Sequence, residues 1–175
     1  MHKIQKILHL SLLLGCIVTG PSSLAESLGP VSEEDPPAVC DSGSFVTGIQ
    51  CTGKYCDNIK ISCSRFPDAD LGSTEWTPWI SEEKGTRHCS TNRYIAGLAC
   101  KGKYCDNLSL YCVELKNYRA FSCFDTRTIS EEGGGSLSFL EGVDKAGQRM
   151  VAKSIRCSGG YCDNKKFTVC EVSTR

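Results

Sequence analysis

Histidine is scarce in this sequence, and its scarcity limits the available chemistry. The 175 residues include three histidines, and His2 and His9 fall in an apolar N-terminal stretch. His88 alone remains, so a metal site built on several histidines is excluded. A serine–histidine–aspartate triad would need His88, which stands beside Cys89 with no nucleophile motif nearby. We therefore expect no enzymatic activity and no cofactor.

The sequence also lacks a net charge. Twenty lysines and arginines balance twenty aspartates and glutamates. Loss of an N-terminal leader containing Lys3 and Lys6 leaves a charge of −2. Neither net charge indicates the basic surface that binds a nucleic acid or an anionic membrane.

Long apolar runs are confined to the N-terminus. The basic start "MHKIQK" precedes "ILHLSLLLGCIVTG", which is too short to cross a bilayer comfortably. The small residues of "SLA", ending at Ala25, are typical of a signal-peptidase site, so residues 1–25 are predicted to be a signal peptide. The mature chain then begins at Glu26 and is secreted or periplasmic. In the alternative, "LLGC" is a lipoprotein motif and the chain is lipid-anchored through Cys16. No transmembrane span is expected elsewhere.

Cysteine, by contrast, is abundant. The sequence has 13 cysteines, and removal of the leader leaves an even twelve in a chain bound for an oxidising compartment. Such a density indicates a disulfide scaffold rather than reactive thiols or zinc ligands. We expect all of these to be oxidised: Cys40, Cys51, Cys56, Cys63, Cys89, Cys100, Cys105, Cys112, Cys123, Cys157, Cys162 and Cys170.

The cysteines follow a threefold internal repeat. Residues 31–63 align with residues 80–112 at a constant offset of 49, with all four cysteines coincident. A third "ISEE" keeps the step at Ile129, and eight extra residues then precede "SIRCSGGYCDNKKFTVC". The third repeat, about 129–170, lacks the first cysteine, and the upstream Cys123 supplies its fourth thiol. We predict one domain, residues 26–175, built from three repeats.

Four cysteines in a repeat allow three pairing schemes, and the sequence does not decide among them. We favour a nested scheme, in which an inner bridge closes the short loop and an outer bridge ties its base. The pairs would be Cys51–Cys56 with Cys40–Cys63, Cys100–Cys105 with Cys89–Cys112, and Cys157–Cys162 with Cys123–Cys170.

Each repeat has the pattern of a β-hairpin. In "FVTGIQC", Phe45, Thr47, Ile49 and Cys51 fall on one face at a period of two, and "YIAGLAC" repeats this arrangement. The third repeat slips by one residue near its end, which predicts a bulge before Cys170. Helical patterns are weak, and 113–120 is the best candidate. The stretch 76–79, "WTPW", suggests an edge strand or turn.

One hairpin cannot bury a face alone, so three hairpins are expected to share a core. The predicted fold is all-β and disulfide-rich, with pseudo-threefold symmetry and a prism-like shape. A trefoil-like fold is the alternative.

The loop "GKYCDN" occurs at residues 53–58 and 102–107, and "GGYCDN" at 159–164. In a purely structural interpretation, glycine supplies positive φ while Asp-Asn makes an Asx turn. In a functional interpretation, each loop forms a shallow polar pocket with an aromatic wall, and three pockets together bind sugars with enhanced affinity. The candidate ligand-binding residues are Tyr55, Asp57, Asn58, Tyr104, Asp106, Asn107, Tyr161, Asp163 and Asn164.

A second repeated motif is "SEE", at residues 32–34, 81–83 and 130–132. Glycoside hydrolysis needs one acid and one base in different environments, whereas these pairs are equivalent. Solvated turns are favoured over calcium ligands, because calcium needs six or more oxygens.

The repeat typified by "WTPWISEE…YIAGLACKGKYCDNLSLYC" resembles a cysteine-rich tandem-repeat module of secreted proteins. In outline it is similar to the threefold β-prism-like targeting modules of perforin-like toxins. That resemblance implies a secreted, non-enzymatic binding module for glycans or a cell surface. The alternative function is a disulfide-stapled protein ligand, such as an inhibitor of a secreted enzyme or toxin.

Overall fold

The computed structural model describes residues 26–81, 85–132, 135–139 and 149–175. The predicted signal peptide lies outside them. The described residues form β-strands and short 3-10 turns and contain no α-helix, which confirms the predicted all-β class. The strands are β1 (Glu26–Val31), β2 (Ala38–Val39), β3 (Ser44–Thr52), β4 (Asn58–Arg65), β5 (Leu71–Trp76), β6 (Thr86–His88), β7 (Arg93–Lys101), β8 (Asn107–Leu115), β9 (Tyr118–Asp125), β10 (Ser136–Ser138), β11 (Arg149–Ser158) and β12 (Asn164–Thr174).

Two sequence expectations about local structure can be settled directly. The helix candidate at 113–120 is wrong, because β8 continues to Leu115 and β9 begins at Tyr118 after a tight turn. The stretch 76–79 begins at the end of edge strand β5, as predicted, and the side chain of Trp76 is 43% exposed. No helix in the described part of the chain is long and apolar enough to cross a membrane.

The strands form three antiparallel sheets of four strands each, one for each repeat. Their orders are β1-β4-β3-β10, β2-β7-β8-β5 and β6-β11-β12-β9. The hairpins β3–β4, β7–β8 and β11–β12 are the central pairs, and each is closed by one of the repeated loops. Three sheets around one axis are the predicted prism-like architecture.

Short strands exchanged between repeats close the ring. Strand β2 of the first repeat pairs with β7 of the second, β6 of the second pairs with β11 of the third, and β10 of the third pairs with β3 of the first. Each repeat therefore adds an edge strand to the next sheet in a cyclic order. A head-to-tail contact repeated around a threefold axis closes after three copies, so no repeat is left with an open interface.

A bulge in the first strand of each hairpin divides the buried residues into two clusters. The pairing shifts at Thr47 in β3, at Ala96 in β7 and at Lys153 in β11. Because a one-residue slip reverses the faces, Phe45 packs in a different cluster from Ile49. The prediction that Phe45, Thr47, Ile49 and Cys51 share one face is therefore wrong, and the same holds in β7.

The disulfides follow the nested scheme in all three repeats. The inner bridges Cys51–Cys56, Cys100–Cys105 and Cys157–Cys162 each span five residues. The outer bridges are Cys40–Cys63, Cys89–Cys112 and Cys123–Cys170.

The third outer disulfide joins different positions in the fold, because the pairing register of β11 and β12 differs from that of the other two hairpins. Val169, not Cys170, lies opposite Ala152, where Cys63 lies opposite Val46 in the first repeat. No bulge separates Val169 from Cys170 in this pairing, so that expectation is wrong. Cys170 instead faces the second cluster and bridges to Cys123 on β9.

An aromatic residue takes the place of the missing cysteine. The backbone N–H of Phe139 donates to Thr47 O (2.8 Å), just as Cys40 donates to Ala96 O (2.8 Å) and Cys89 to Lys153 O (3.0 Å). The ring of Phe139 packs on Phe167 with centroids 5.4 Å apart. In the third repeat, apolar packing thus takes the place of the bridge that corresponds to Cys40–Cys63, and the outer disulfide forms elsewhere, between Cys123 and Cys170.

Candidate functional site

The three repeated loops meet at one end of the prism. The ring centroids of Tyr55 and Tyr104 are 5.1 Å apart, those of Tyr55 and Tyr161 are 4.9 Å apart, and those of Tyr104 and Tyr161 are 5.2 Å apart. All three side chains are half-buried. We call this cluster of Tyr55, Tyr104 and Tyr161 the tyrosine cap. The expectation of three separate pockets is wrong, because the rings form one continuous surface.

Each tyrosine of the cap occupies an unfavourable backbone conformation. The φ angles are +58° at Tyr55, +58° at Tyr104 and +56° at Tyr161, and the cysteine after each tyrosine is also left-handed. This region costs a residue with a Cβ about 1–2 kcal/mol. Strain of this kind persists where the surroundings enforce it, and here the inner disulfide closes each loop. Glycine would adopt this conformation at lower cost, and the packing of the three rings on one another offsets part of the strain at these positions.

The aspartates and asparagines of the motif hold their own loops together. Asp57 Oδ1 accepts a hydrogen bond from Asn58 Nδ2 at 2.7 Å. The pairs Asp106–Asn107 and Asp163–Asn164 repeat it at 2.5 and 2.7 Å. The carboxylates also lie against the loop glycines, so a Cβ added to Gly53 would be 2.0 Å from Asp57 Oδ1. These contacts join side chains, so they support a structural role in the loop but are not the predicted Asx turn. A ligand-binding role for these residues stays a prediction.

Lysines break the threefold symmetry of the cap. Lys54 Nζ lies 5.1 Å from the ring centroid of Tyr55 and 5.6 Å from that of Tyr104. Lys103 Nζ lies 5.1 Å from the ring centroid of Tyr104. The equivalent position in the third loop is Gly160, and a Cβ built there would meet no atom within 4 Å. The cap therefore has two cationic flanks and one open flank.

Glu131, from the third "SEE", contacts the first repeated loop. Its carboxylate accepts a hydrogen bond from the backbone N–H of Tyr55. Ser32 instead makes the predicted local turn, accepting from Glu34 N–H at 3.3 Å and donating to Asp35 Oδ2 at 2.8 Å. The sequence did not predict the contact of Glu131, because it joins residues 76 positions apart. In the second copy, Glu82 and Glu83 lie outside the described residues.

A buried lysine links two of the cap loops. Lys165 is 0% exposed, and its Nζ donates to Cys162 O (2.7 Å) and Cys56 O (3.4 Å). Burial lowers the pKa of Lys165 to about 8, although Asp163 and Asp57 act in the opposite direction. The first and second repeats have Ile59 and Leu108 at this position. The signal was present in the sequence, since "DNK" stands where the other repeats have "DNI" and "DNL".

Metal and thiol chemistry find little support in the part of the chain that the structure describes. No three histidine, cysteine, aspartate or glutamate side chains there are grouped to hold a metal ion. The twelve cysteines among the described residues are all in disulfides. The cap presents aromatic faces, two ammonium groups, and amide and carboxylate oxygens.

No protein-family model, no curated protein and no solved structure matches this chain.

Proposed function

We propose that this protein is a secreted, non-enzymatic binding module that recognises glycans or a glycan-bearing cell surface through the tyrosine cap. The observation that carries this proposal is the meeting of three half-buried tyrosine rings, each held in a left-handed conformation, at a single point. Folding alone does not favour a bulky residue in that conformation.

The chemistry of the cap suits a sugar. A sugar ring presents a flat apolar face, which stacks on aromatic rings, and a rim of hydroxyl groups, which needs hydrogen-bonding partners. Lys54 and Lys103 border the tyrosines and supply donors. The open flank beside Gly160 gives a ligand access from one side.

The repeat architecture also agrees with a single composite site. Each loop alone is a short turn with one aromatic ring, which offers too little surface for specific recognition. Ring closure brings the three together at about 5 Å, so one ligand can contact all of them. The loops then contribute to one binding event rather than to three separate ones.

A glycan array probed with residues 26–175 tests the proposal, followed by titration of the best neutral sugar. The informative variant carries Tyr55→Asn, Tyr104→Asn and Tyr161→Asn, because asparagine tolerates the left-handed region. Loss of aromatic anchors should weaken binding by at least about thirtyfold. Tyr111→Ala is the matched control, since Tyr111 is a half-buried tyrosine on β8 outside the cap. Unchanged binding by a well-folded triple variant would contradict the proposal.

One observation favours the alternative, a protein ligand or inhibitor. Val39, Gly97, Tyr111 and Trp76 lie directly opposite one another in a row across the second sheet. Val39 is 39% exposed and Trp76 43% exposed, and exposed tryptophan and tyrosine are typical of protein-binding hot spots. A negative array, together with a stoichiometric protein complex that Trp76→Ala disrupts, would support this function instead.

A further inference from the structure

A large open cleft separates the second and third repeats. It has a volume of about 990 Å³ and lies where the loop after β6 meets strands β9, β11 and β12 of the third sheet. Three cationic side chains line it: Arg119 on β9, Lys153 on β11 and Arg175 after β12. Among the described residues, no aspartate or glutamate side chain lines it. We call this feature the basic cleft.

Because the fold is repeated, the basic cleft can be compared with the equivalent cleft elsewhere in the same protein. The equivalent cleft, between the first and second repeats, has a volume of about 240 Å³. Apolar residues such as Val39 and Leu71 line it together with polar residues such as Asp41, and no lysine or arginine is among its described lining residues. The bulge residue of its β-strand is Ala96, whereas the bulge residue in the basic cleft is Lys153. The same position in the fold is therefore small and without a lining cation in one copy, and large with three lining cations in the other. The threefold fold therefore does not by itself require cationic side chains in this cleft.

Lys153 is held in place at the cleft. Its Nζ donates to Ser90 O (2.5 Å) and Arg93 O (2.8 Å), which leaves one of its three N–H donors for another partner. Burial lowers the pKa of Lys153 to about 8, so the ammonium remains mostly charged at pH 7. Glu75, the carboxylate that favours the charged form of Lys153, is itself engaged by the N–H of Ser90 (3.1 Å) and by Arg93 (3.9 Å). The cleft thus keeps an excess of positive charge.

We propose that the basic cleft binds an acidic oligosaccharide through its carboxylate or sulfate groups. Arginine forks match the geometry of these oxyanions, and Arg119 and Arg175 bring two of them to one groove. Thr91 and Asn92 on one wall, and Ser173 and Thr174 on the other, provide partners for sugar hydroxyls. The volume suits several sugar rings rather than a single ion. This site is separate from the tyrosine cap and does not depend on it.

The test is a titration of residues 26–175 with a chondroitin-type tetrasaccharide that carries both carboxylates and sulfates. The desulfated and carboxyl-reduced form of the same tetrasaccharide is the neutral probe. The variant Arg119→Gln with Arg175→Gln removes two cationic heads and, because both side chains are exposed, should leave the melting temperature unchanged. We expect it to bind the acidic tetrasaccharide at least about tenfold more weakly. The neutral probe should show no binding at the cleft.

A matched control removes the same charge elsewhere. Lys60→Gln with Arg156→Gln changes two exposed cations on the outer faces of the first and third sheets, and it should alter affinity by less than about twofold. Equal losses in both double variants would show non-specific attraction and overturn the proposal. Failure of the wild type to bind, equal binding of the neutral probe, or tighter binding of polyglutamate would also overturn it. The triple tyrosine variant should retain this binding, because the proposed contacts lie outside the cap. Loss of binding there would place the saccharide at the cap instead.

Discussion

The buried lysine of the third repeat gives a stability prediction with a defined dependence on pH. Lys165 is fully buried, and burial holds its pKa at about 8 in the folded protein, against 10.5 for an ordinary lysine. Between these two values the folded state has released a proton that the unfolded state still binds. Stability therefore rises with pH through this window. One pKa unit corresponds to about 1.4 kcal/mol, so the rise between pH 7.5 and pH 9.5 is about 2 kcal/mol.

The informative change is Lys165→Leu, which installs the residue type that the second repeat has at Leu108. The variant lacks the titrating group, so only the wild type gains about 2 kcal/mol between pH 7.5 and pH 9.5. The free energy of unfolding of the variant minus that of the wild type should therefore be about 2 kcal/mol smaller at pH 9.5 than at pH 7.5. The absolute difference at one pH also includes the lost hydrogen bonds to Cys56 O and Cys162 O. Only the change with pH isolates the burial of charge. Lys153, whose pKa is also about 8, titrates in both proteins and cancels in the comparison.

The assay is equilibrium unfolding in guanidinium chloride with the disulfides intact, at pH 7.5, 8.5 and 9.5. Lys60→Leu is the control, because Lys60 follows the equivalent position of the first repeat and is exposed. The control should keep the dependence on pH of the wild type. If the profiles of Lys165→Leu and the wild type are parallel, Lys165 is not desolvated as described.

Two further predictions concern the loops and the third repeat. Gly53→Ala should destabilise the protein by at least about 1 kcal/mol more than Gly43→Ala in chemical unfolding. Both glycines have positive φ, but only at Gly53 would the new Cβ strike the Asp57 carboxylate; equal losses would contradict this role. The double change Phe139→Cys with Val169→Cys should form an additional disulfide, because these residues occupy the places of Cys40 and Cys63. The added bridge makes seven disulfides, so intact mass should show the oxidised variant 14 hydrogens lighter than its fully reduced form, against 12 for the six bridges of the wild type. Alkylation of both new thiols in the folded protein would refute the equivalence.

Much of the local structure could be predicted from the sequence. The period of two in "FVTGIQC" and the fixed offset of the repeats predicted three hairpins closed by identical loops. The nested disulfides were the favoured one of three schemes, and the structure confirms them, since a hairpin brings Cys51 near Cys56 across its loop. These features depend on residues close together in the chain, where patterns are strongest.

The features that fix the site are non-local, and no local pattern encodes them. Strand β2 has two residues, Ala38 and Val39, which is too short to produce a periodic pattern, yet its pairing with β7 helps close the ring. The bulge residues Thr47, Ala96 and Lys153 share no side-chain type, so the division of the core was not predictable. Because the sequence does not show that the three repeats close into a ring, it predicts three separate tyrosine sites.

The convergence of the loops is the central claim, and the stoichiometry of ligand binding tests it most directly. Isothermal titration of residues 26–175 with the best neutral sugar from the array, which avoids the basic cleft, should give one ligand for each chain. Tyr104→Asn alone should then weaken that single event, because all three rings share it. Three ligands for each chain, with Tyr104→Asn removing one and leaving the other two at full affinity, would contradict the claim.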